Sequence, residues 1–122
     1  PGGNFVRLDI HGDNNEFKGS QKQDSSSISH DLIANIYGDG NDVYVKQMQN
    51  GNKDLTLTIY NDDNEVTINQ KNNGAHNATI TLNGTQPTDL SLSQVGNTTQ
   101  NYTLSQNCIT SGGCSVTVTQ GN

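Results

Sequence analysis

Glutamine is the residue type whose spacing in this chain carries the most chemistry. Gln21, Gln47, Gln70, Gln94 and Gln120 each close a run of alternating apolar and polar residues, at intervals of 26, 23, 24 and 26 positions. Gln106 closes a run of the same kind near the end of the chain. A primary amide has two donors and two acceptor lone pairs, so identical amides stacked at one repeat position can bond into a continuous ladder. An inward amide without partners would instead cost free energy. The spacing predicts an inward Gln ladder, and the ladder fixes register, because a one-residue slip turns every side chain to the other face.

Asn15, Asn41 and Asn64 share a second repeat position, between two alternating runs. Asn there tolerates left-handed backbone and caps its own turn. Acidic residues crowd the same corner: Asp13, Glu16, Asp39, Asp42, Asp62, Asp63 and Glu65. Like charges stacked at strand spacing repel. Two readings follow, a solvated edge that opposes lateral clumping, or a row of weak Ca²⁺ sites at Asp39, Asp42, Asp62 and Asp63. Gly38-Asp39-Gly40-Asn41-Asp42 is similar to one unit of a Ca²⁺-binding nonapeptide repeat, which works only in series and occurs once here. No metal site or cofactor is expected.

Cys108 and Cys114 flank Gly112-Gly113, a spacing that closes into a disulfide-bridged loop. Free thiols are the alternative, and a metal site lacks further ligands. A disulfide implies an oxidising, periplasmic or extracellular compartment. His11, His30 and His76 fall in corners without a matched nucleophile or carboxylate. They read as surface histidines, and no catalytic role is expected. The sequons at Asn77, Asn83, Asn97 and Asn101 matter only where the source glycosylates.

The elements that position these residues are short strands. Leu55, Leu57 and Ile59, then Asn64, then Val66, Ile68 and Gln70 give two runs of strict alternation around a polar turn. The same frame fits Val6, Leu8, Ile10, Phe17, Gly19 and Gln21, and again Leu32, Ala34, Ile36, Val43, Val45 and Gln47. A fourth copy reads Ala78, Ile80, Leu82, Leu90, Leu92 and Gln94, and a fifth Tyr102, Leu104, Gln106, Val116, Val118 and Gln120. The additions in these last two copies fall in turns, one with Pro87 and one with the Cys108–Cys114 loop. The core seam includes Ile10, Ile36, Ile59 and Leu82 from the first strands and Val43, Val66, Leu90 and Val116 from the second.

One such unit cannot bury its own apolar face, whereas a stack can. The predicted fold is all-β and without helix: a β-solenoid of five strand–turn–strand repeats, cross-β, with two facing sheets. It forms a single repeat domain over 1–122, with units near 4–24, 25–51, 52–74, 75–97 and 98–122. Corners between units are Gly- and Asn-rich, and the longest, around Ser25-Ser26-Ser27, reads as loose. Open strand edges at both ends are a template for association.

Composition narrows the function. Hydrophobic residues make up 29% of the 122 residues and aromatics 5%, too few for the thick core of a compact enzyme. A net charge of −6 disfavours nucleic acid and anionic membranes. No apolar run is long enough for a spanning helix. The start at Pro1-Gly2-Gly3 reads as a processed end.

The frame resembles the curlins, subunits of curli amyloid fibres, across essentially the whole chain. The turn Asn matches at Asn15, Asn41 and Asn64, and the second-strand Gln at Gln21, Gln47, Gln70, Gln94 and Gln120. The first-strand Gln of that family matches only at Gln106, with Ile10, Ile36, Ile59 and Leu82 in its place elsewhere, which marks a divergent relative. The resemblance implies secretion as an unfolded chain, nucleated assembly outside the cell or at its surface, and a role in biofilm matrix and adhesion. The expected partner is the chain itself, stacked head to tail, together with a nucleator and secretion chaperones. Other readings are a surface-bound nucleator or adhesin, or a β-solenoid module of a phage or ice-binding protein. Against ice binding, Arg7/Asp9 and Ile33/Asn35 interrupt the outward threonine files.

Overall fold

The computed structural model describes residues 3–24 and 28–121. The expected loose corner at Ser25, Ser26 and Ser27, the processed end at Pro1-Gly2 and the terminal Asn122 lie outside them. The chain is a β-solenoid of five turns, here called rungs, each made of two strands. They are β1 (Phe5–Ile10) and β2 (Glu16–Lys22), β3 (Asp31–Ile36) and β4 (Asp42–Met48), β5 (Asp54–Ile59) and β6 (Glu65–Lys71), β7 (Asn77–Gly84) and β8 (Thr88–Val95), and β9 (Asn101–Cys108) and β10 (Cys114–Gly121). Odd strands form one parallel sheet in the order β1-β3-β5-β7-β9, and even strands form the other in the order β2-β4-β6-β8-β10.

Alternation in the sequence becomes alternation of burial. In β5 and β6, Leu55, Leu57, Ile59, Val66, Ile68 and Gln70 point inward and are buried. Register follows the repeat frame throughout: Ile10 lies beside Ile36, Ile36 beside Ile59, and Ile59 beside Leu82. Val43 pairs with Val66, Val66 with Leu90, and Leu90 with Val116. The core is a thin seam between the sheets, completed in rungs 2 to 4 by neighbours above and below.

The end rungs lack one neighbour. Val6, Leu8 and Ile10 remain 50%, 40% and 38% exposed, and Tyr102, Leu104, Val116 and Val118 are only partly buried. Outward threonines align only in rungs 3 to 5, where Thr56, Thr79 and Thr103 form one file. Arg7 and Ile33 occupy the same file in rungs 1 and 2.

The corner after each odd strand departs from expectation in one respect. Positive φ falls at Asn14 (59°), Gly40 (68°) and Asp63 (60°), one residue before the turn Asn in each repeat. Asn15, Asn41 and Asn64 therefore do not take the left-handed conformation. Next to this corner, Gly38 is required by close approach, since a Cβ there would lie 2.0 Å from the carbonyl oxygen of Asn61 in the next rung.

Candidate functional site

The Gln ladder is formed by five residues. The Nε2 of Gln21 donates to Oε1 of Gln47 (2.8 Å), Gln47 to Gln70 (3.0 Å), Gln70 to Gln94 (2.8 Å), and Gln94 to Gln120 (2.8 Å). Each Nε2 also donates across the seam to the first carbonyl of the odd strand in its own rung: Phe5, Asp31, Asp54, Asn77 and Asn101. The amide thus clasps the two sheets together as well as joining rungs. Because both N–H groups face oxygens, the orientation of every amide is fixed, and the ladder is polar. Oε1 of Gln21 points out of the first rung, and the amide donors point toward the last.

Gln106 is not a member. It lies inward on β9 in the other sheet, in register with Leu82, so the first-strand column runs Ile10, Ile36, Ile59, Leu82, Gln106.

The turn asparagines build a second ladder: all three cap the next rung, and Asn64 also bonds its own turn, its Nδ2 donating to the carbonyl and Oδ1 of Asn61. Oδ1 of Asn15 accepts the backbone N–H of Asn41 (2.8 Å), Oδ1 of Asn41 accepts that of Asn64 (2.8 Å), and Oδ1 of Asn64 accepts that of Thr88 (2.6 Å). Thr88, after Pro87, ends the series. Asn41 and Asn64 are buried, so these bonds satisfy backbone donors that water does not reach.

The acidic corner uses two of its carboxylates in a similar way. Asp39 Oδ1 accepts the N–H of Asp13 (2.7 Å), and Asp62 Oδ1 accepts that of Asp39 (2.8 Å). Each bond lets an acceptor offset the proximity of like charge. Among the described residues, no group of three or more His, Cys, Asp or Glu is placed to hold a metal ion, Asp39, Asp42, Asp62 and Asp63 included.

Sequence reasoning missed a third column. His30, Lys53 and His76 are fully buried, correcting the expectation of surface histidines, and with Gln100 they occupy equivalent positions just before β3, β5, β7 and β9. The three N–H groups of the Lys53 ammonium are shared among four backbone carbonyls of two successive corners: Asn50 (2.5 Å), Gly51, Asn72 and Gly74 (2.8 Å each). Burial pushes Lys53 down to about 8, while the carbonyl cage favours the charged form. Burial also lowers both histidines, with the Lys53 charge adding to the effect.

Cys108 and Cys114 form a disulfide, as the spacing suggested. It bridges the end of β9 to the start of β10 in the last rung. His11 stands apart from the buried histidines, on the opposite corner, where its ring stacks on Tyr37 (5.1 Å) and Tyr37 stacks on Tyr60 (5.4 Å). No helix among the described residues is long and apolar enough to cross a membrane.

With this geometry in hand, comparison of the chain with protein-family models, curated proteins and solved structures finds no match.

Proposed function

We propose that the chain is a structural subunit of an extracellular, self-assembling, amyloid-like fibre that serves in biofilm matrix and adhesion, and that it polymerises head to tail through its open ends. The observation that carries this reading is the polarity of the Gln ladder at two unfinished ends. Stacking β1 and β2 of one copy on β9 and β10 of another places the donors of Gln120 toward Oε1 of Gln21, which accepts no hydrogen bond among the described residues. The same step covers Val6, Leu8 and Ile10, and continues both parallel sheets. Burial of that apolar area contributes about 25 cal/mol per Å², and each new buried hydrogen bond contributes about 1 kcal/mol. The resemblance to curlins supports the same reading and brings with it secretion, a nucleator and chaperones. No catalytic role is assigned.

Negative-stain microscopy and fibre diffraction on the purified chain test this. Unbranched filaments with a meridional spacing near ~4.8 Å are expected. A solution that stays monomeric would overturn the reading.

A second reading is favoured by Gln106. In a homopolymer this amide would lie between Leu82 and Ile10, with no amide in its column. A chain that nucleates another subunit, with a Gln in that column, would give it a partner. Sub-stoichiometric seeding of a different fibre protein, with little self-assembly, would select that role.

A further inference from the structure

The side chains of His30, Lys53 and His76 join three consecutive corners, while the backbone carbonyls of the same residues accept from the ladder amides of Gln21, Gln47 and Gln70. These side chains replace water for the corner carbonyls. His30 Nε2 donates to the Lys22 carbonyl (3.2 Å), and its Nδ1 accepts the backbone N–H of Lys53 (3.3 Å). His76 Nε2 donates to the Lys71 carbonyl (2.8 Å), and its Nδ1 is buried without a partner. Both imidazoles are thus neutral, with the proton on Nε2. A proton added to Nδ1 of His30 would confront the Lys53 N–H, and one added to Nδ1 of His76 would enter a buried position with no hydrogen-bond partner among the described residues.

The column contains no carboxylate. Its central member is the Lys53 ammonium, already held by four carbonyls, so protonation of both histidines places three cations in successive rungs about 4.8 Å apart. The facing acids are Asp31 and Asp54, which open β3 and β5 and are exposed. They offset little of this, because both carboxylates are solvent-exposed and their pull on the buried rings is screened.

We infer that this column is a proton-operated lock: the solenoid requires both imidazoles neutral, and their protonation releases the corners that lead from rung 1 to rung 4. The sign of the pH dependence follows from burial. The unfolded chain takes up protons at its histidines near pH ~6.5, whereas the folded chain resists until lower pH. Stability is fully present above about 6.5 and is lost as the pH falls toward the folded values. Rung 5 supplies the control residue, since Gln100 holds the same position and its Nε2 donates to the Val95 carbonyl (3.0 Å). Glutamine is native to the column and does not titrate.

The test is thermal unfolding of the soluble full-length chain by far-ultraviolet circular dichroism between pH 7 and 5, a window above most carboxylate titration. The wild type should lose about 10 °C in Tm across it. The variant His30→Gln/His76→Gln should lose less than half of that, and His11→Gln, on the opposite corner, should keep the full fall. A flat wild-type profile, or an unchanged fall in the double variant, overturns the lock. If the double variant does not fold, NMR titration of the wild-type imidazoles decides. Two should titrate below about 6.5, together with unfolding, and ordinary titration of all three in an intact fold overturns the proposal. The readout is unfolding of the soluble chain, so it stands whether or not the chain polymerises.

Discussion

The middle and the ends of this solenoid are built from the same frame and have different environments. Leu8, Ala34, Leu57, Ile80 and Leu104 form one inward column. Leu57 is inaccessible, whereas Leu8 in the same column remains 40% exposed. The Gln ladder repeats the contrast, with Gln47, Gln70 and Gln94 buried and Gln21 and Gln120 half-buried. A rung has no interior of its own. Each gains one only from the rungs on either side, so the ends of a finite stack are unfinished by construction.

Paired substitutions sharpen that contrast. Leu57→Ala should destabilise the fold by about 3–4 kcal/mol and Leu8→Ala by about 1, since the second site is already open. Denaturant unfolding measures both, and equal losses would mean that the first rung is covered in solution.

Next in size, Lys53→Ala removes the donor from four carbonyls and should cost about 2–3 kcal/mol. Lys53→Gln should recover part of that loss, because Gln100 fills the equivalent place. In the same unfolding series, Gln70→Leu strands amide partners in both neighbouring rungs and should cost about 2 kcal/mol. Gln21→Leu should cost less than about 0.5 kcal/mol, yet slow polymerisation followed by dye fluorescence. A Gln21 variant that assembles at the wild-type rate would remove the amide from the end contact.

The most local effect expected is that of reducing Cys108–Cys114. The loop it closes is short and lies at one end, so about 2 kcal/mol is expected from that end alone. Hydrogen exchange should show the loss confined to β9 and β10.

The repeat was legible because its identities recur. Apolar residues at alternate positions and a constant Gln define one frame, and the register of all five rungs follows it. The buried column before the odd strands was not legible by that rule, because His30, Lys53, His76 and Gln100 are different residue types with one shared duty. The duty is to carry an N–H to corner carbonyls across a span that each of these side chains can bridge. A signal was present in position rather than identity: Lys53, His76 and Gln100 each come six residues after the ladder Gln of the preceding strand.

The turn shows the same limit. The recurring Asn drew attention, but the left-handed residue is its predecessor, and that position is filled by Asn14, Gly40 and Asp63 in turn. Asn was selected here by a backbone donor in the next rung. That partner is distant in sequence and invisible to local turn rules.

Head-to-tail stacking in register is tested most directly by engineered cysteines. Ser20 and Thr119 lie outward in one file of the even sheet, at opposite ends of the stack. Continuing the sheet from one copy to the next brings their Cα atoms about 4.8 Å apart, within disulfide reach. Filaments of the double variant Ser20→Cys/Thr119→Cys should oxidise to a covalent ladder of dimers, trimers and higher species, with neither single variant doing so. Filaments that yield no such ladder, or dimers from Ser20→Cys alone, would contradict end-to-end growth.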